Sequence, residues 1–233
     1  MGTSPVQERR RSAIDVPRWK RALDLLFLLA SLPVTLPLAG LIALYVKASS
    51  SGPVMFRQER VGYCGRLFMC LKFRTMKVGA DHSTHRDHLN LLITSEKPMT
   101  KLDQHGDDRL IPFGGWLRAS GLDELPQLIN IWRGEMSMVG PRPCLPYEYA
   151  KYSEPQKLRF STAPGLTGLW QVSGKNRTTF KEMIQMDTWY ANHKTLWLDL
   201  KIIALTIPTL LAQLMEARGN GRSVALARGK QST

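Results

Sequence analysis

Residues 25–46 read LLFLLASLPVTLPLAGLIALYV, 22 consecutive positions without a charged side chain. A helix needs roughly 17–25 apolar residues to cross a bilayer, so the run is long enough to insert. It is apolar on every face, unlike the striped helix of a soluble core. Pro33 and Pro37 interrupt it four positions apart, and each removes a helical hydrogen bond. Basic residues flank both ends: Arg18, Lys20 and Arg21 before it, Lys47, Arg57 and Arg60 after it. The positive-inside rule assigns both flanks to the cytoplasm. A kinked helix that enters and leaves through one face satisfies both, with the hydroxyls of Ser31 and Thr35 near enough to serve freed carbonyls. A simple span is the competing reading. A cleaved signal peptide fits less well, because the run is long for its apolar region.

Outward from this run the chain is basic. Of 233 residues, 32 are Lys or Arg and 19 are Asp or Glu, a formal net charge of +13. The excess is concentrated in residues 1–21 and 216–233, with a basic middle between them. Such a charge asks for an anionic partner: nucleic acid, anionic lipid or a phosphorylated substrate. Three cysteines, Cys64, Cys70 and Cys144, are too few for a disulfide scaffold and show no zinc spacing. Hydrophobic residues at 43% exclude a broadly disordered chain. The segments around residues 54–63 and 65–76 read as two strands joined by a turn at Gly62 to Gly65. His82, His85, His88 and His105 sit in polar sequence, where a solvated face is favoured over a metal site. Residues 202–215 are apolar but too short to span, and read as an interfacial or core helix. The tail after Glu216 reads as disordered.

The chemistry is best read at Asp123-Glu-Leu-Pro-Gln-Leu-Ile-Asn-Ile-Trp-Arg-Gly134. Leu125, Leu128, Ile129 and Trp132 share one helix face, and Gly134 is a stop signal. Pro126 belongs in the first turn, which predicts Asp123 at or beside the N-cap with Glu124 following. Acidic residues there are ordinary caps. The surrounding cations open a second reading. Arg118, Arg133 and the Arg142 of Pro-Arg-Pro bracket the pair, with Lys72 and Arg74 as further candidates. Two carboxylates among cations suit a Mg²⁺-assisted phosphoryl site, in which carboxylates hold metal or attack phosphorus while arginines neutralise oxygens. The Gly-rich stretch at 164–176 carries no P-loop or Rossmann fingerprint, and reads equally as a structural turn or a ligand loop.

Five motifs in order resemble the bacterial sugar transferases, the monotopic polyprenyl-phosphate phosphoglycosyl transferases. They are Lys72-Phe-Arg-Thr-Met76, Leu122-Asp-Glu-Leu-Pro-Gln-Leu128, Gly134-Glu-Met-Ser-Met-Val-Gly-Pro-Arg-Pro143, Pro164-Gly-Leu-Thr-Gly168 and Asp199-Leu-Lys-Ile202. The likeness runs from about Lys20 to Pro208. It implies an α/β fold: a small, mostly helical catalytic domain with a few short strands, an N-terminal re-entrant membrane helix and amphipathic interfacial helices. The expected division is a basic segment at 1–21, the inserted helix at 22–47, the catalytic domain at 48–215 and the tail at 216–233. In length the chain resembles the minimal, one-domain form of the family.

The implied reaction moves a sugar-1-phosphate from a nucleotide-diphosphate sugar, usually a UDP-sugar, to polyprenyl (undecaprenyl) phosphate, releasing UMP. It would open glycan or exopolysaccharide assembly on the cytoplasmic face of the bacterial inner membrane. The resemblance makes Asp123 the nucleophile of a phosphosugar-aspartate intermediate and Glu124 a metal ligand or base, with Mg²⁺ as cofactor. Lys72, Arg118 and Arg142 are implied to bind phosphate, with Arg74 and Lys175 added as candidates. Pro37 matches the helix break. Two positions depart from the pattern: Leu36-Pro37 stands where Ser-Pro is frequent, and Lys175 stands for an arginine. The expected partners are the two substrates and membrane phospholipid, not nucleic acid; oligomeric state is left open. A non-catalytic basic membrane-surface adaptor is the alternative, and it leaves the Asp-Glu pair without a purpose.

Overall fold

A computed structural model describes residues 16–79, 98, 99, 109–174 and 177–229, with side chains as far as 215. The order is α1 (Arg18–Ser49), β1 (Met55–Val61), β2 (Leu67–Phe73), α2 (Gly114–Ser120), α3 (Gln127–Trp132), β3 (Ser137–Val139), α4 (Pro146–Tyr149), α5 (Glu154–Lys157), β4 (Gly165–Thr167), α6 (Leu169–Val172), α7 (Phe180–His193) and α8 (Leu196–Gly229). The chain is mostly helical, with few and short strands. The candidate histidines at 82, 85, 88 and 105 lie outside the described residues.

α1 contains the whole apolar run and is long and apolar enough to cross a membrane. Both prolines lie within one continuous helix. A proline at position i leaves the carbonyl of residue i−4 without its helical donor, which here concerns Leu29 and Pro33. The hydroxyls expected to help bond elsewhere: Ser31 Oγ donates to Leu28 O at 2.8 Å and Thr35 Oγ1 to Ser31 O at 3.0 Å. They back-bond within their own turns, as such side chains do in helices.

The two ends of α1 are built into the folded domain. Near its start, Leu28 packs with Cys70, Ile131 and Met136. Near its end, Ile42 and Val46 pack with Phe73, Ile111 and Leu117. Between these anchors Val34 and Leu36 are 69% and 68% exposed. Polar ties reinforce the first anchor. Asp24 Oδ1 accepts from Ser137 Oγ at 2.8 Å and from Met138 N at 2.7 Å. Arg21 donates to the carbonyls of Ile131 and Trp132 at the end of α3.

β1 and β2 form the expected antiparallel pair, in register from Met55 opposite Phe73 to Val61 opposite Leu67. A second sheet pairs β3 with β4 in parallel. It uses the Gly-rich stretch read as turn or ligand loop. A Cβ on Gly140 would collide with Ala163 O, one on Gly165 with Gly140 N, and one on Gly168 with Gly140 O. These glycines let two backbones approach closely. The main core joins β1 to α7 through Val61, Phe160, Trp170, Phe180, Met183 and Ile184.

α8 differs from expectation at both ends. It begins at Leu196 rather than at residue 202, so its Leu196–Met215 portion also has the length and composition to cross a membrane. Asp199, the first residue of the last of the five motifs, has its side chain buried inside the fold. The helix continues to Gly229, across the segment expected to be a disordered tail.

Candidate active site

β2 ends beside the turn that carries the carboxylate pair. That turn is a 3-10 helix, Leu122–Glu124, preceded by Gly121 in the left-handed region at φ 72°. The α-helix proper starts only at Gln127, with Pro126 at its N-cap position. The N-cap residues are thus Gly121 and Pro126, neither of which has a capping side chain. Asp123 is therefore neither at nor directly beside an N-cap, where the spacing predicted it. Pro126 accounts for the shift. It has no N–H to give the preceding turn, so the chain turns tightly first and becomes α-helical after it.

Asp123 is buried and Glu124 half-buried. Lys72 Nζ meets Glu124 Oε1 at 2.5 Å, a contact between residues 52 positions apart. Both residues line a small cleft open to solvent. Arg60, Gln127, Arg142 and Gln171 complete the polar lining. The site therefore gathers Lys72, Glu124 and Arg142 into one cleft, with Asp123 next in the chain. The other expected residues fall elsewhere. Arg118 sits half-buried on α2, one turn ahead of the dyad, and does not line the cleft. Arg74 points away: its guanidinium donates to the carbonyls of Ser50 and Ser51, tying the end of α1 to β2. Lys175 lies outside the described residues.

Sequence reasoning missed Arg60, Gln127 and Gln171. Arg60 stands in a strand whose alternating pattern carries no functional signal. Its role as lining is visible only once β1 and the Pro-Arg-Pro segment are side by side. Arg60 is 7% exposed, and burial together with the neighbouring Arg142 charge pushes its guanidinium below the usual arginine range. The Arg142 guanidinium and the Lys72 ammonium at one opening make an environment for phosphate oxygens, while the buried Arg60 guanidinium donates to Gln58 Oε1 and Pro143 O. Cys70 also borders the cleft, and burial raises its thiol, so it is a small apolar neighbour rather than a nucleophile.

The carboxylates also bear on the Mg²⁺ expectation. Among the described residues no group of three or more His, Cys, Asp or Glu is suited to a metal. Mg²⁺ needs no such cage, since it is held by one or two carboxylates completed by water and substrate phosphates. Glu124 lines the cleft and Asp123 precedes it in the chain, and carboxylate oxygens are the hard donors Mg²⁺ takes, so this donor set fits the ion.

The family model for bacterial sugar transferases matches residues 16–213. Among similar proteins, the exopolysaccharide production protein ExoY of Rhizobium meliloti (strain 1021) is 40% identical over 192 residues, covering 82% of this chain and 84% of ExoY. The UDP-glucose:undecaprenyl-phosphate glucose-1-phosphate transferase of Caulobacter vibrioides is 39% identical over 209 residues, 86% of this chain and 72% of that protein. The galactosyl transferase CpsE of Streptococcus agalactiae serotype III is 38% identical over 182 residues, 76% of this chain but 40% of CpsE. The chain thus spans less than half of some relatives and most of others. With the match running from the start of the apolar helix into α8, the chain belongs to the bacterial sugar transferase family.

Proposed function

We propose that this protein transfers a sugar-1-phosphate from a UDP-sugar to undecaprenyl phosphate, releasing UMP, at the opening of exopolysaccharide or glycan assembly. The observation that carries this reading is that the paired Lys72 and Glu124 line one cleft with Arg142, with Asp123 next to Glu124 in the chain. The names of the relatives support the substrate classes.

The Asp123 carboxylate attacks the phosphorus that bears the sugar. A new P–O bond forms to the aspartate, and the bond to the other phosphate breaks, so UMP leaves with the electron pair. An oxygen of undecaprenyl phosphate then attacks the same phosphorus. The aspartate leaves as carboxylate, and undecaprenyl-diphosphate-sugar is released. Splitting the transfer lets one site serve a soluble donor and a membrane-bound acceptor in turn. Lys72 and Arg142 neutralise oxygen charge as each bond breaks, and Lys72 also fixes the orientation of Glu124. Mg²⁺, held by Asp123 and Glu124 with the substrate diphosphate, would add Lewis-acid charge neutralisation.

The packing of α1 supports a membrane arrangement. Its two ends pack on the same catalytic body while its middle is exposed and apolar. A helix spanning the bilayer would carry Lys20 and Val46 to opposite sides, away from a shared body. We therefore read α1 as re-entrant, with residues 29–37 at its apex and the catalytic domain on the cytoplasmic face of the inner membrane. Phospholipid and the basic flanks then meet at the headgroup level. UMP release from a panel of UDP-sugars, with membranes carrying undecaprenyl phosphate, tests the activity. Acceptor-dependent release by the wild type and none by Asp123→Asn is expected. Continued turnover without acceptor, beyond the one equivalent of UMP released as the aspartate intermediate forms, or release retained in the variant, would contradict the reading.

A further inference from the structure

The segment Pro141–Cys144 carries Arg142 to the cleft, and each of its four carbonyls has a donor. Gly165 N donates to Pro141 O at 3.0 Å, and Val61 N to Cys144 O at 2.9 Å. Between them, Arg159 Nη2 donates to Arg142 O at 2.9 Å and Arg60 Nη1 to Pro143 O at 3.2 Å. The outer two grips are main-chain bonds. The inner two come from buried arginines on separate parts of the fold.

Both arginines are themselves held. Arg159 is 1% exposed, ion-paired with Asp187, and its Nη1 donates to Tyr152 Oη at 3.1 Å. Arg60 Nε and Nη2 both donate to Gln58 Oε1, at 3.2 and 2.6 Å. Burying a guanidinium is costly, and apolar side chains of similar size frequently pack with no loss of stability. Two such residues on consecutive carbonyls therefore point to a positional demand. The demand is local. Prolines at 141 and 143 remove two of the segment's own N–H donors, so it cannot be held by a continuous ladder. Arg142 lies between them, and the direction of its side chain follows from the peptide planes on either side.

We propose that Arg60 and Arg159 are positioning residues that clamp the two carbonyls at Arg142 and so aim its guanidinium at the phosphates of the substrate. This rests on reading the cleft as the nucleotide-sugar site. Arg159 does not line the cleft, so its effect must pass through the segment it holds. A misplacement on the order of 1 Å in a substrate-orienting group costs up to about 10²-fold in rate.

The test is a pair of double-mutant cycles with Arg142→Ala, combining it with Arg159→Lys and with Arg60→Lys, each variant keeping the positive charge. UMP release gives kcat and KM; affinity for inorganic pyrophosphate and the melting temperature are read alongside. In the wild-type background each Lys variant is expected to lower kcat/KM and pyrophosphate affinity by roughly 10-fold or more. In the Arg142→Ala background the same change should cost less than about twofold, while the melting temperature falls equally in both. Equal activity losses in both backgrounds would overturn the clamp, as would an Arg142→Ala variant with unchanged pyrophosphate affinity. If one Lys variant does not fold, the other carries the cycle. Absence of turnover by the wild type would count against the proposed function alone, because the pyrophosphate cycle is read without it.

Discussion

Lys20 Nζ and Asp199 Oδ2 meet at 2.5 Å across 179 positions of sequence, with side chains 0% and 1% exposed. Tyr190 closes the network: its hydroxyl accepts from Lys20 at 2.9 Å and donates to Asp199 Oδ1 at 2.6 Å. The start of α1, the end of α7 and the start of α8 are thereby fastened at one point. The two helices with the length and composition of membrane elements are locked to each other on the domain side. Removing one partner of such a pair leaves a buried charge uncompensated, at a cost of about 3–5 kcal/mol. Lys20→Met is expected to lower the melting temperature strongly, and the double variant Lys20→Met/Asp199→Leu to recover much of the loss. Thermal unfolding in detergent measures both. A double variant less stable than the single one would mean that the pair is not the unit of stability.

The Lys72–Glu124 pair sits on the cleft wall with side chains 19% and 29% exposed, so it contributes little to stability, roughly 1 kcal/mol or less. Under the proposed function its role is in charge placement. Lys72→Met should lower kcat/KM on the order of 10²-fold with a melting temperature near that of the wild type. Enzyme assays beside a melting curve separate the two effects.

Much of this site was legible in sequence because its motifs are local. Lys72, Asp123-Glu124 and Arg142 lie in short continuous runs, and the hairpin around them is announced by Gly62 and Gly65. What escaped was tertiary. β3 and β4 have three residues each, too few for an alternating pattern to show, and their glycines were readable as turn residues until Gly140 met Gly165. The burial of Asp199 was not legible because its partner Lys20 stands near the other end of the chain. Arg60 and Arg74 exchanged apparent roles for the same reason. Both are basic residues near a strand end, and only packing sends one to the cleft and the other to the carbonyls after α1.

The three thiols should differ in reactivity. Cys64 is exposed, whereas Cys70 and Cys144 are buried, and burial pushes the Cys144 thiol up to about 12 and Cys70 upward as well. A raised thiol pKa keeps the group protonated and inert at pH 8. Maleimide titration of the native protein should modify one cysteine per chain, mapped to Cys64 by peptide mass. Modification of Cys144 at a comparable rate would show that the core around it opens readily.

Once Cys64→Ser removes that reactive thiol, single cysteines report topology. Trp19→Cys and Ala48→Cys bracket α1, and Val34→Cys sits in its exposed middle. With a re-entrant helix, a membrane-impermeant reagent applied to inverted inner-membrane vesicles should label both brackets and spare residue 34. Labelling of only one bracket would establish a span.

The central claim is that Asp123 carries the sugar phosphate between the two half-reactions. Incubation of the purified protein with a UDP-sugar radiolabelled in its β-phosphate, without undecaprenyl phosphate, tests it most directly. The account predicts stoichiometric label on the wild-type protein, mapped to Asp123, discharged on addition of undecaprenyl phosphate and missing from Asp123→Asn. Label on another residue, or full transfer by the Asn variant without any labelled protein, would contradict it.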